Sequence, residues 1–259
     1  MIVSDQHKFA FVHIPKCAGT SVRKALRPID ETIGKFDQIA HHPEMGMIHY
    51  GHITLPDLEA HFPDYYAKLC RFRSVAIVRD PQDRFFSAVF QRLREFKGYQ
   101  QSQITSSVVD SEARALVVHL EATTERLDLQ HVHFNRQSDY VWNDNVRVVG
   151  RVFALHRLHD AAKYIEECTG VQLIAEDREN RTAELRFSAL KPLAKTLRGP
   201  YAALVPLALR DRVRARLTRA GLYGDVEKSQ FAKSGSYLNG FLKDYYQQDF
   251  ELFAAARAA

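Results

Sequence analysis

Residues 11–21 read Phe-Val-His-Ile-Pro-Lys-Cys-Ala-Gly-Thr-Ser, and they carry the strongest chemical signal in the chain. Small residues at Ala18 and Gly19 let a backbone curl until several N–H groups converge on one anion. The hydroxyls of Thr20 and Ser21 add donors, and Lys16 puts a positive charge at the mouth of the turn. An ATP-binding loop of the form G-x-x-x-x-G-K-S/T carries its lysine after the last glycine. Here Lys16 comes before Gly19, so the pattern indicates phosphate binding by a loop of another order.

A second group of this kind is Arg79-Asp80-Pro81-Gln82-Asp83-Arg84-Phe85-Phe86-Ser87. Asp80 can cap a helix whose first residue is Pro81. An arginine at such a junction offers a planar fork matched to phosphate. Arg84 reads as structural, pairing with Asp80 or Asp83. Proton transfer needs a different residue, and His49-Tyr50-Gly51-His52 supplies candidates. Histidine titrates at about 6.5 when unperturbed, so it can accept a proton near neutrality. The chain holds 12 histidines, and pairs such as His41-His42 arise easily. No carboxylate or cysteine completes a recognised zinc spacing among them, so no metal is expected.

Both motifs together resemble the sulfotransferases, specifically the family-2 branch that includes many carbohydrate sulfotransferases. The 5′-phosphosulfate loop of that branch reads much like His-Ile-Pro-Lys-x-Ala-Gly-Thr-Ser, as residues 13–21 do. Its 3′-phosphate motif, Arg-x-Pro-x-x-Arg-x-x-Ser, is met at every fixed position by residues 79–87 when the first pair is read as Arg79 and Pro81. The resemblance implies that Lys16, Cys17, Ala18, Gly19, Thr20 and Ser21 wrap the 5′ end of 3′-phosphoadenosine-5′-phosphosulfate. It implies likewise that Arg79 and Ser87 hold the 3′-phosphate and that Arg181 and Thr182 complete the nucleotide site. Cys17 stands where the family usually shows threonine. A catalytic His-Gly-His in the glycosaminoglycan 2-O-sulfotransferase branch is similar to Tyr50-Gly51-His52, which implies His52 as the base. His49 then orients or binds the acceptor, and His133 and Gln137 fall where family members have acceptor-side residues. The implied reaction moves a sulfonate to a hydroxyl, on a saccharide or glycan, and releases 3′-phosphoadenosine-5′-phosphate without a metal. Two other readings stay open. Val75 to Asp80 also looks like an apolar strand ending in a magnesium-binding aspartate, as in a nucleotide kinase or phosphotransferase, and a non-catalytic nucleotide-binding relative would keep the same fold.

These residues need elements to place them. Phe9–Ile14 and Ser74–Val78 are short apolar runs of the kind that form buried strands, and a helix follows each. Val146 to Phe153 predicts a third strand, followed by a helix over 158–168. Alternating strands and helices predict an α/β fold, with a P-loop-like central parallel sheet flanked by helices. The C-terminal portion reads as helical over 188–197, 201–220 and 237–256, with residues 221–240 as a loop. The 259 residues suit a single domain, 1–259.

Composition sets outer limits. Lys+Arg number 36 and Asp+Glu 31, a net charge of +5, a mild excess that suits an anionic ligand but needs no nucleic-acid partner. The basic run 210–219 reads as a solvated face. Three dispersed cysteines, Cys17, Cys70 and Cys168, form no CxxC pair, so a reducing compartment is the default. The first 16 residues lack an apolar run behind a basic start, and no stretch reaches the roughly 18 apolar residues of a membrane span. A cytoplasmic enzyme is expected.

Overall fold

The structure, a computed structural model, describes residues 1–173, 183–185, 223–225 and 236–258. The chain divides into two compact units, Met1–Glu176 with Phe231–Ala259, and Asp177–Gln230.

The first unit is built on a four-stranded sheet. Its early elements are β1 (Ile2–Ser4), β2 (Phe9–Val12) and α1 (Gly19–Leu26), then the hairpin β3 (Ile39–His42) and β4 (Gly46–His49). Next come α2 (Leu55–His61), α3 (Pro63–Arg71), β5 (Arg73–Val78), α4 (Pro81–Glu95) and α5 (Ser106–Ala122). A short hairpin of β6 (Trp142–Asn143) and β7 (Val146–Arg147) leads to β8 (Arg151–Ala154) and α6 (Leu158–Thr169). In the second unit the described residues are β9 (Ala183–Leu185) and β10 (Tyr223–Asp225), paired antiparallel with Tyr223 opposite Leu185. The chain closes with α7 (Ser236–Tyr245) and α8 (Gln247–Ala258), which belong to the first unit.

The sheet order is β1-β2-β5-β8. β1 runs antiparallel to β2, while β2, β5 and β8 are parallel, with Val12 opposite Ala76 and Val78 opposite Ala154. Every residue of β2 is buried, as are five of the six in β5. A parallel strand covered on both faces needs such an unbroken apolar run, which is what FAFV and SVAIV supply. The main core gathers Phe9, Phe11, Val75 and Ile77 of the sheet with Leu26, Leu69, Ile165 and Leu252 of the surrounding helices. A second core joins Phe85, Phe86, Val89 and Leu93 of α4 to Leu116, Val117 and Leu120 of α5 and to Phe241 of α7. The fold is thus mixed α/β, with a parallel-rich central sheet, flanking helices and a helical C-terminus.

Two expected elements divide. The run 146–153 splits into β7 and β8 because Val148 and Val149 both donate to the Val141 carbonyl (2.9 and 3.2 Å), while Gly150 donates to Ser74 Oγ (2.9 Å). The helix expected over 237–256 breaks at Tyr246, a fully buried residue whose hydroxyl donates to the Phe134 carbonyl at 2.8 Å. Within the expected loop 221–240, residues 223–225 form β10 and α7 begins at Ser236. The helices expected over 188–197 and 201–220, and the basic run 210–219, lie outside the described residues.

Candidate active site

The turn after β2 departs from ordinary backbone geometry at two residues. Lys16 (φ 67°) and Ala18 (φ 59°) both occupy the left-handed region, which costs a side-chain-bearing residue about 1–2 kcal/mol. Turns of this kind aim successive N–H groups into one concavity. Gly19 then opens α1 with no side-chain cap on its first turn. Thr20 and Ser21 are exposed on that turn, Lys16 is half-buried beside it, and the Ser21 N–H closes the turn on the Ala18 carbonyl at 3.3 Å. Cys17 faces the other way. Its buried thiol donates to Gln137 Oε1 at 3.3 Å, and burial pushes its pKa up to about 12. It is a packed thiol that also donates to the Pro15 carbonyl of the turn at 3.5 Å.

Arg79 lies one strand away, at the end of β5. Asp80 caps α4 by accepting from the Asp83 N–H at 3.0 Å, with Pro81 in the first turn as expected. The Arg79 guanidinium pairs with Asp83 at 3.3 Å, and Ser87 is half-buried two turns along α4. Gln137 ties the two regions together. Its Oε1 accepts from the Arg79 N–H at 2.8 Å as well as from Cys17, and its Nε2 donates to the Arg79 carbonyl at 2.9 Å. The family resemblance implies an acceptor-side place for Gln137. Its amide is instead fully buried and spent on holding the donor-side backbone.

Arg84 also differs from expectation, because neither Asp80 nor Asp83 is its partner. It is fully buried and donates to the carbonyls of His133 (3.0 Å) and Asn135 (2.6 Å), with Asp249 at 3.7 Å. Asp249 in turn accepts from the N–H groups of Gln137 and Ser138, each at 2.8 Å. This one ion pair therefore fixes the whole 133–138 segment. Removing one partner of a buried pair leaves an uncompensated charge, so Arg84→Met is expected to lose about 3–5 kcal/mol of stability. Urea unfolding measures it, and a loss under about 1 kcal/mol would mean the pair holds nothing.

Four imidazoles meet between these regions and the β3–β4 hairpin. The His52 ring lies 4.1 Å from His49, 4.8 Å from His13 and 5.1 Å from His133, centroid to centroid. His49 Nδ1 accepts from the Gly51 N–H at 3.1 Å, and Tyr140 donates its hydroxyl to the His52 carbonyl at 3.1 Å, so the turn 50–52 is held from both sides. His52 Nδ1 is buried with no hydrogen-bond partner among the described residues. Burial holds His13 and His52 well below the ordinary histidine pKa. It brings His49 down to about 4, with Arg23 adding to the effect. His133 falls to about 3, through burial first and then the charge of Lys16. All four rings are neutral at pH 7, and Lys16 is within electrostatic reach of the cluster. His13, His49, His52 and His133 thus lie together, with the Lys16 charge acting on His133. Arg181 and Thr182 lie outside the described residues.

A model of the sulfotransferase family matches residues 1–254. The chain belongs to the sulfotransferase family. No curated protein and no solved structure gives a significant match to it. The sulfotransferase has a small surface cleft reaching His49 and His52. Its walls mix apolar side chains, Met47, Ile53, Leu127 and Leu129 among them, with the polar Asp57, Arg126 and Asn135. Arg126 crosses its rim, held by Asp57 at 3.1 Å and donating to the Met45 carbonyl at 3.2 Å. Among the described residues, no group of three or more His, Cys, Asp or Glu side chains could hold a metal ion, and no helix is long and apolar enough to cross a membrane.

Proposed function

We propose that the protein transfers the sulfonate of 3′-phosphoadenosine-5′-phosphosulfate to a hydroxyl of a carbohydrate acceptor, with His52 as the base. One observation carries the reading. The turn 15–19 and Arg79 follow adjacent parallel strands, and a single side chain, Gln137, bonds both at 3.3 and 2.8 Å. Two anion sites so close at the carboxyl ends of neighbouring strands suit the two ends of an adenosine bisphosphate. We read the turn as P-loop-like, with backbone N–H groups of residues 16–21 on the 5′ end and Arg79 with Ser87 on the 3′-phosphate. Arg181 and Thr182 are assigned to the nucleotide by family resemblance.

The step is an in-line displacement. His52 takes the proton of the acceptor hydroxyl as that oxygen bonds to sulfur. The bond from sulfur to the 5′-phosphate oxygen breaks, and its electron pair leaves with 3′-phosphoadenosine-5′-phosphate. Lys16 offsets the charge that builds on the departing oxygen. No metal is needed in this scheme. His49 and His133 flank the base, and His49 also faces the cleft where the acceptor would lie. Its apolar side chains suit the C–H face of a sugar ring or an apolar substituent on it, with Arg126 for a hydroxyl at the rim. We take the whole chain as one sulfotransferase domain working in the cytoplasm, and three free cysteines fit a reducing compartment.

Calorimetry tests the donor half. Wild-type protein is expected to bind 3′-phosphoadenosine-5′-phosphate without magnesium, and Arg79→Ala to bind it at least about tenfold more weakly, the worth of a charged hydrogen bond. Magnesium-dependent ATP binding with no response to the bisphosphate would overturn the proposal in favour of a phosphotransferase. Incubating the protein and donor with candidate saccharides, then weighing products for the gain of one sulfonate, tests the acceptor half. Donor binding with no transfer to any hydroxyl would leave the non-catalytic relative as the better reading.

A further inference from the structure

His13 follows β2 directly and is 7% exposed. Its Nδ1 lies 3.0 Å from Arg23 Nη1. A guanidinium only donates, so Nδ1 is the acceptor, and the proton of the neutral ring sits on Nε2. Arg23 also forms an ion pair with Asp37. At the other edge of the ring, a Cβ placed on Gly19 would fall 1.9 Å from His13 Cδ2 and 2.5 Å from Nε2. Glycine is therefore required at position 19 for the imidazole to lie flush against the first residue of α1. No hydrogen bond to Nε2 is present among the described residues. The helix start has no side-chain cap, and the Cδ2–Nε2 edge of a nearly fully buried ring lies against it.

We propose that His13 donates its Nε2–H to an oxygen of the transferring sulfonate. This rests on the donor reading above. The position of the ring selects the sulfonate over its neighbours. The 5′-phosphate belongs at the turn and helix start, and the acceptor hydroxyl belongs at His52. The sulfur must pass between them, and His13 touches the helix start on one side and lies 4.8 Å from the His52 ring on the other. A donor in that place meets the group whose oxygens change charge most during transfer. Arg23 acts one step back, as the positioning residue that keeps the donor hydrogen on the inner nitrogen.

The test separates this bond from donor binding as a whole. 3′-Phosphoadenosine-5′-phosphate lacks the sulfonate, so calorimetry should find its affinity for His13→Ala within about threefold of wild type, while kcat falls about 10- to 100-fold. His13→Gln, which keeps an amide donor at similar reach, should recover most of that turnover. Equal loss in the two variants, unchanged turnover in His13→Ala, or bisphosphate binding that falls in step with kcat would each overturn the assignment. ¹⁵N NMR of the wild-type imidazoles should show His13 protonated at Nε2; a proton on Nδ1 would overturn it even if His13→Ala did not fold. Failure of wild-type protein to bind the bisphosphate at all is a distinct result, because it removes the donor reading itself.

Discussion

Lys16→Ala is expected to lower kcat about a thousandfold while leaving the fold and most of the donor affinity intact. The charge to be stabilised develops late, on the bridging oxygen as the sulfur leaves it. A cation that meets this charge more strongly than the ground-state charge lowers the barrier. Lys16 is suited to that task by its backbone as much as by its ammonium. Its left-handed φ of 67° sets it at the crest of the turn that precedes α1, half-buried, where water screens its charge less. Its charge already acts on His133 across the cluster. Lys16→Arg should rescue little, because a flat guanidinium needs more room than a point charge in a tight turn. Single-turnover rates at saturating donor measure the chemical step directly. A kcat within about tenfold of wild type for Lys16→Ala would move the charge-stabilising role to the backbone N–H groups alone.

Some of this site was legible in the sequence, for a physical reason. A strand-to-helix turn is made by consecutive residues, so the turns at Lys16 to Ser21 and at Arg79 to Pro81 could be read in order. The Asp80 cap and the buried apolar runs of β2 and β5 are equally local. What could not be read depends on partners far along the chain. Gln137 bonds Cys17 across 120 residues and Arg79 across 58. Nothing near Gln137 in the sequence distinguishes an amide that clamps a backbone from one that faces a ligand. Arg84 stood in a motif beside two aspartates, yet it turns inward to carbonyls about 50 residues away. His13 was visible in the loop, but only the ring packed against Gly19 and the bond from Arg23 give it a direction. The valine-rich run 146–153 reads like one strand, and only Val141 and Ser74 show where the ladder breaks.

His52→Ala is expected to cost about 10²- to 10⁴-fold in kcat, the usual worth of a positioned general base. Its pH dependence has a sign that burial fixes. A base must be unprotonated, and burial, assisted by the neighbouring rings, disfavours the imidazolium of His52. In the free enzyme kcat/KM should therefore stay level through neutrality and fall only as the medium drops well below the ordinary histidine pKa. Bound donor brings several negative charges beside the cluster, which favours the imidazolium. The acid limb of kcat should accordingly lie at higher pH than that of kcat/KM. Stability has to be followed in the same range. His13, His49, His52 and His133 all have lowered pKa values in the fold. Between the unfolded value of about 6.5 and the folded ones, the unfolded chain binds more protons, so stability declines as pH falls through that window. Urea midpoints at each pH separate the two effects. If the acid limb of kcat/KM tracks those midpoints in wild type, and His52→Ala keeps turnover within about tenfold, the base must be sought elsewhere among the four rings.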